Sequence, residues 1–258
     1  MKVVIFCGGL GLRMRDYSDH IPKPMVPIGN RPIIWHIMKY YASFGHTDFI
    51  LCLGYNGDQI KRFFIDYDER LSNDFVLDTT TGNAQLFQHD VEDWRITFVD
   101  TGLTTNIGGR LQRVRPHIGN DEMFLANYSD TLTNANLSEM IHAFSNKPDA
   151  VASFLCVRPP YSFHTVSLND ANQVTAIEDI RESGVRINGG YFVLRNEIFD
   201  FLQPGDELVV EGFGRLYKMQ RLYAHIHDGF WSCMDTFKEK QYLDDLLSMD
   251  EPPWRLAG

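Results

Sequence analysis

Two short segments near the start of the chain combine residue types that handle phosphate. The apolar run Val3–Cys7 stops at Gly8-Gly9-Leu10-Gly11, and Arg13 follows at once. Glycines tolerate positive φ and let backbone amides approach a ligand closely. Successive amides in such a loop make a concave anion site, and an arginine adds a charged fork. Ten residues later, Lys23 stands between Pro22 and Pro24. Proline fixes its own φ and restricts its predecessor, so the Lys23 backbone is expected to be stiff and extended. A lysine presented this way can reach a second phosphate of the same ligand.

Spacing excludes two familiar phosphate loops. No Lys-Ser or Lys-Thr pair follows Gly11 as a P-loop requires. The dinucleotide fingerprint needs a glycine three residues after Gly11, where this chain has Met14. That disfavours a dinucleotide-dependent oxidoreductase.

The elements that would carry these loops alternate. Strands are expected at Val3–Cys7, Asp48–Leu53, Ile96–Val99, Met123–Ala126 and Ala150–Cys156. Helical spacing of apolar residues appears over Pro32–Ser43, Asn56–Phe64 and Leu137–Phe144, with Ser138 suited to cap the last. Alternation of this kind predicts an α/β fold with a Rossmann-like, mostly parallel mixed sheet flanked by helices. Ligands then lie beyond the carboxyl ends of the strands. The second half is more β-rich, with strands at Val174–Ile177, Gly189–Leu194, Arg221–Ile226 and Trp231–Met234. Helices are expected at Asn196–Leu202, Glu211–Gln220 and Thr236–Ser248, and Asn188-Gly189-Gly190 reads as a turn or a point of close approach. A polar, turn-rich excursion occupies about 67–94, suited to covering a site or to an oligomer contact. One unit spanning 1–258 is the simplest organisation.

The formal charge of −10 argues against nucleic acid or an anionic membrane as partner. A negative protein that binds phosphate must concentrate its arginines and lysines locally. Cys7, Cys52 and Cys156 sit in apolar runs and Cys233 stands alone, so reduced thiols are expected rather than a zinc site. Only five apolar residues follow Lys2 before glycine, unlike a signal peptide, and no window approaches the ~20 apolar residues of a membrane span. A cytoplasmic protein is expected.

Gly8-Gly-Leu-Gly-x-Arg13 with Pro22-Lys-Pro-Met25 resembles the signature of the sugar-1-phosphate nucleotidyltransferases. Trp35–Lys39, Asp100-Thr-Gly102, Gly108–Leu111, Ile187–Gly190, Gly229–Trp231 and Met234-Asp-Thr236 resemble their glucose-1-phosphate cytidylyltransferase branch. The resemblance runs from Val3 almost to Trp254. It implies transfer of a nucleotidyl group from a nucleoside triphosphate, CTP above all, to a sugar 1-phosphate, with release of pyrophosphate. The attacking phosphate oxygen is already an anion, so the work is positioning and charge neutralisation. Arg13 and the amides of Gly8, Gly9 and Gly11 then suit the triphosphate, and Lys23 the α-phosphate. Gly109 and Arg110 are implied contacts of the nucleotide. Glu178, Asn188 and Gly189 match acceptor-binding positions. Magnesium takes carboxylates, phosphates and water. Asp130, beyond the strand at Met123, and Asp235, beyond that at Trp231, are its candidate ligands. Asp235 could instead cap the following helix. Family members are commonly homo-oligomers.

The most serious departures from the pattern fall in the acceptor half, about 150–258. Leu12 replaces a threonine, and Ser129 and Thr131 replace glycines beside Asp130, so the backbone there could sit differently. Where the family reads Glu-Lys-Pro, and its lysine binds the sugar phosphate, this chain has Glu178-Asp179-Ile180. An acid beside a phosphate is repulsive. Either Arg181 or Arg186 takes over, or the phosphate sits elsewhere. His164 falls where the family has a glycine facing the sugar, and could donate to a different acceptor. A non-catalytic nucleotide-binding or regulatory protein, or an enzyme with another acceptor or nucleotide, is therefore the alternative.

Overall fold

The computed structural model describes residues 1–9, 21–89, 93–160, 162–249 and 251–255. The described residues hold fifteen strands: β1 (Lys2–Phe6), β2 (Pro27–Ile28), β3 (Arg31–Pro32), β4 (Asp48–Leu53), β5 (Phe75–Asp78), β6 (Asn83–Leu86), β7 (Arg95–Asp100), β8 (Met123–Tyr128), β9 (Thr131–Thr133), β10 (Ala152–Val157), β11 (His164–Leu168), β12 (Val174–Asp179), β13 (Ile187–Arg195), β14 (Leu222–His227) and β15 (Trp231–Cys233). Seven of them form the main sheet in the order β14-β10-β13-β8-β1-β4-β7. All its neighbours run parallel except β13, which is antiparallel to both β8 and β10.

The unbroken apolar run of β1 follows from its central place. Val3, Ile5 and Cys7 face one core, packed with Ile34, Ile37, Tyr41 and Met140, while Val4 and Phe6 face another with Leu111, Val114 and Phe192. A strand covered on both faces cannot alternate with polar residues. Helix Ile33–Ser43 buries Ile33, Ile34, Ile37, Met38 and Tyr41 at helical spacing and ends where Gly45 takes φ +78°. Helices Leu137–Ser145 and Phe237–Leu247 bury their apolar residues in the same core. No helix among the described residues is long and apolar enough to cross a membrane.

Several local expectations are corrected. Helix Leu137–Ser145 is capped by Asn136, whose side chain accepts from the Glu139 amide at 3.2 Å, not by Ser138. Helix Ile107–Ile118 was not legible, because Gly108, Gly109 and Pro116 all lower helix propensity. Burial of Leu111, Val114 and Ile118 against the sheet overrides that. Asn196–Phe201 is 3-10 rather than α, and the segment after Glu207 opens as a π-turn before the helix Phe213–Lys218. Asn188-Gly-Gly190 lies inside β13, where Gly190 at φ +79° lets the strand close on Tyr128. The excursion near 67–94 contains the hairpin β5–β6, with Phe75 opposite Leu86.

Candidate active site

At the carboxyl end of β1, Gly8 and Gly9 leave the sheet beside the ends of β4 and β8. Gly11 and Arg13 lie outside the described residues. The two described glycines serve different purposes. A Cβ on Gly8 would fall 2.0 Å from Arg110 Nη1, whereas one on Gly9 would meet nothing within 4 Å among the described residues. Gly8 therefore makes room for a guanidinium beneath the loop, and Gly9 keeps the loop's outer face open.

Arg110 is only 1% exposed, buried beneath the loop. Its Nη1 donates to the Leu53 carbonyl at 3.1 Å and to Thr101 Oγ1 at 2.6 Å, tying the ends of β4 and β7 together. Burial pulls its pKa down from the ordinary arginine value, and the charge of Asp100 offsets this only in part. A guanidinium stays charged even so. The fold thus fixes a buried positive charge directly under the glycine loop, where an anion would be stabilised. Gly109 is a helix position: its amide donates to the cap Asn106 at 2.8 Å. It also lines a cavity of about 480 Å³ with Thr104, Thr105, Gln112, Arg113 and Pro204.

Lys23 opens a single 3-10 turn, Lys23–Met25, instead of running extended, because the Pro22 carbonyl accepts from the Met25 amide at 2.8 Å. Pro24, lacking an N–H, loses nothing in a first turn. The Lys23 ammonium lies 2.5 Å from Asp130 Oδ2 and 2.5 Å from Asp235 Oδ1. Burial pulls the ammonium down, but the Asp130 and Asp235 carboxylates outweigh it and hold its pKa above the ordinary lysine value.

The two aspartates are far apart in sequence and are joined by a short ladder. β9 pairs antiparallel with β15, Cys233 opposite Thr131, and the Met234 amide donates to the Asp130 carbonyl at 2.9 Å. Asp235 does not cap the following helix. Thr236 does, in a capping box in which Glu239 Oε2 accepts from the Thr236 amide at 2.8 Å and from the Asp235 amide at 2.6 Å. The Asp235 carboxylate is thereby left for the site. On the other side, Ser129 Oγ donates to the Phe6 carbonyl at 2.9 Å. The serine where glycine was expected thus ties the Asp130 turn to the root of the glycine loop.

Both carboxylates reach one Nζ, so they are close enough to share a single cation, and both remain partly exposed. That suits magnesium, which binds through one or two carboxylates and completes its shell with phosphate oxygens and water. No group of three or more His, Cys, Asp or Glu side chains suited to a metal occurs among the described residues.

Of the acceptor candidates, Asn188 and Gly189 join this site. Trp231 Nε1 donates to the Gly189 carbonyl at 2.8 Å, and Asn188 Oδ1 accepts from the Gly190 amide at 2.9 Å. A Cβ on Gly190 would lie 2.7 Å from the ring of Tyr128, two residues before Asp130. Burial raises the Tyr128 hydroxyl pKa, and the charges of Glu207 and Asp130 add to it. Glu178 stands exposed on the ribbon β11–β12, in which His164 is opposite Asp179.

Sequence reading passed over Arg158 and Asp228, which meet at 2.9 Å beside this half of the site, and gave no role to Trp231. Trp231 had a signal, since its Gly-Phe-Trp segment belongs to the resemblance. The Arg158–Asp228 pair had none, being joined only by the side-by-side ends of β10 and β14.

A sequence profile of the family described as Nucleotidyl transferase matches residues 2–239. The chain is 38% identical over 258 residues to a probable glucose-1-phosphate cytidylyltransferase of Bacillus subtilis, covering 99% of this chain and 100% of that one. It is 36% identical over 260 residues to the glucose-1-phosphate cytidylyltransferase of Salmonella typhimurium, covering 99% of each. Among solved structures, a UTP-bound UGPase from Acinetobacter baumannii superposes with a TM-score of 0.72 at 19% identity, over 98% of this chain and 95% of that one. A putative glucose-1-phosphate thymidylyltransferase from Bacillus anthracis superposes with a TM-score of 0.69 at 16% identity, over 100% and 98%. The phosphate-type loop over Arg110, the paired aspartates and these matches lead to one conclusion: the chain belongs to the nucleotidyl transferase family.

Proposed function

We propose that this protein transfers a cytidylyl group from CTP to a sugar 1-phosphate, glucose 1-phosphate or a related acceptor, and releases pyrophosphate. The observation that carries the reading is the Lys23 ammonium held between Asp130 and Asp235 at 2.5 Å from each, at the strand ends beside the glycine loop. A protein that only bound a nucleotide would have no use for a cation poised between two carboxylates.

A phosphate oxygen of the acceptor attacks the α-phosphorus, the bond to the bridging oxygen of the β-phosphate breaks, and pyrophosphate leaves. No base is required. Lys23, protonated throughout the neutral range, neutralises the α-phosphate as charge builds. The Gly8 and Gly9 segment over Arg110, with Gly11 and Arg13, receives the β- and γ-phosphates. Asn188 and Gly189 line the acceptor side. Asp130 and Asp235 would hold magnesium, which when bound supplies positive charge to the triphosphate. The reading extends to one unit over the whole chain, in the cytoplasm, and, on family resemblance alone, to a homo-oligomer.

The test is pyrophosphate release in magnesium with each nucleoside triphosphate and a panel of sugar 1-phosphates. Release with CTP and one acceptor, lost in Asp130→Asn, is the expected result. Absence of release with every pair, beside measurable CTP binding, would overturn the reading in favour of a non-catalytic nucleotide-binding protein.

A further inference from the structure

Three arginines gather where the ribbon β11–β12 meets the main sheet, and they are not equivalent. Arg181 is committed locally. Its Nε donates to both carboxylate oxygens of Asp179 at 2.9 and 3.1 Å, its Nη2 donates to Oδ2, and its amide donates to Oδ1 at 2.9 Å. These hydrogen bonds hold the Asp179 carboxyl well below the usual carboxylate range. The two charges cancel, so neither the repulsion expected from Asp179 nor a free cation at Arg181 is left.

Arg158 and Arg186 share one acid. Asp228 Oδ1 accepts from Arg158 Nε at 2.9 Å and from Arg186 Nη2 at 2.8 Å. Two guanidiniums against one carboxylate leave an excess of one positive charge. Arg158 Nη1 is used by the Arg181 carbonyl at 2.9 Å. Arg186 Nη1, in contrast, is buried and has no acceptor among the described residues. A dry donor on a charged group is costly unless something accepts from it. The excess charge says that this something is an anion.

Position says which anion. Arg186 immediately precedes β13, two residues before Asn188, so strand alternation sets these two on one face, just ahead of the irregularity at Gly190. Gly190 packs on Tyr128, next to the Asp130 turn. Asp228 lies just ahead of Trp231, whose indole binds Gly189. Arg158 and Asp228 are about half exposed, at 49% and 56% of their side chains, so the front of the cluster is open.

We propose that Arg186, braced by Asp228 and flanked by Arg158, binds the phosphate of the acceptor. It does so in place of the lysine that this chain lacks at Asp179. The assignment rests on the transferase reading above. Nη1 carries two N–H donors, so it engages one or two phosphate oxygens and leaves another free to attack.

The test uses Arg186→Gln, Arg186→Lys and Arg181→Gln in the full chain, with the sugar 1-phosphate of the panel that turns over. Arg186→Gln is expected to raise KM for the sugar 1-phosphate at least tenfold while KM for CTP stays within twofold. Arg186→Lys recovers part of the loss, and Arg181→Gln, made together with Asp179→Asn so that no acid is unmasked, stays within twofold for both substrates. A thermal melt accompanies each variant; if Arg186→Gln is unfolded, the lysine variant decides, with a rise in acceptor KM alone as the supporting result. An unchanged acceptor KM, or an equal rise in both KM values, overturns the assignment. If the wild type turns over no pair, the transferase reading fails by itself. The phosphate site is then judged by calorimetry with glucose 1-phosphate and, as a neutral control, glucose. Binding of glucose 1-phosphate but not glucose, abolished in Arg186→Gln, supports it; no binding by the wild type overturns it.

Discussion

The guanidinium of Arg110 occupies the space in which a side chain at residue 8 would stand: a Cβ on Gly8 would lie 2.0 Å from Nη1 and 2.1 Å from Cζ. A Cβ on Gly9, one residue on, would meet none of the described residues within 4 Å. The two glycines should therefore respond differently to alanine. Gly8→Ala must displace a buried arginine that holds Leu53 and Thr101, and is expected to cost ~1–3 kcal/mol in urea unfolding. Gly9→Ala should leave stability within ~0.5 kcal/mol and weaken CTP binding in calorimetry. Equal destabilisation by both would show that Arg110 does not set the loop.

Lys23 separates two carboxylates that would otherwise repel. Lys23→Met is expected to lower kcat/KM by on the order of 10²–10³ and to tighten binding of manganese, read by electron paramagnetic resonance. Asp130→Asn should abolish that gain. The sign of the pH dependence follows from a raised lysine pKa. The stability the pair contributes is fully present below the ordinary value of 10.5 and is lost only as pH rises past it. Manganese affinity unchanged in Lys23→Met would mean that the aspartates do not form a shared cation site.

The capping box at Thr236 frees Asp235 for the site. Thr236→Ala should cost ~1 kcal/mol of stability, and it should also raise the magnesium concentration required for turnover. A stability loss with an unchanged magnesium requirement would confine the box to helix capping.

His36 is buried, with Nε2 3.2 Å from the Ile28 carbonyl, and burial lowers its pKa to about 4. Its folded value lies below the unfolded 6.5, so stability is present above pH 6.5 and falls as pH drops toward 4. The slope approaches ~1.4 kcal/mol per pH unit. His36→Gln should flatten the melting temperature across that window. An unchanged profile would assign the acid sensitivity elsewhere; His46, also lowered to about 4 by burial, would be the next residue to substitute.

The parts of the fold that the sequence makes legible are those coded by local pattern. β1, β4, β8 and β10 are predominantly apolar runs because both faces of the sheet are covered, and helix Ile33–Ser43 carries its apolar residues at helical spacing. Helix Ile107–Ile118 was hidden because its glycines serve contacts instead of propensity: a Cβ on Gly108 would lie 2.3 Å from the Asp206 carbonyl oxygen. The short partners β9 and β15 are three residues each and, among the described residues, have only one another as strand neighbours.

The sequence by itself picked out residues of types suited to phosphate, because a glycine loop, an arginine and a proline-bound lysine are chemically specific at short range. It determined neither which of them face a ligand nor which cations are spent. Arg110 proved to be buried support, Arg181 to be neutralised by Asp179, and Arg186 to have a donor to spare. Those outcomes depend on pairings across long stretches of chain, Lys23 with Asp235 and Arg158 with Asp228 among them. Charge is written in the sequence, but its cancellation and its desolvation are set by distance, and distance between remote residues exists only once the sheet has formed.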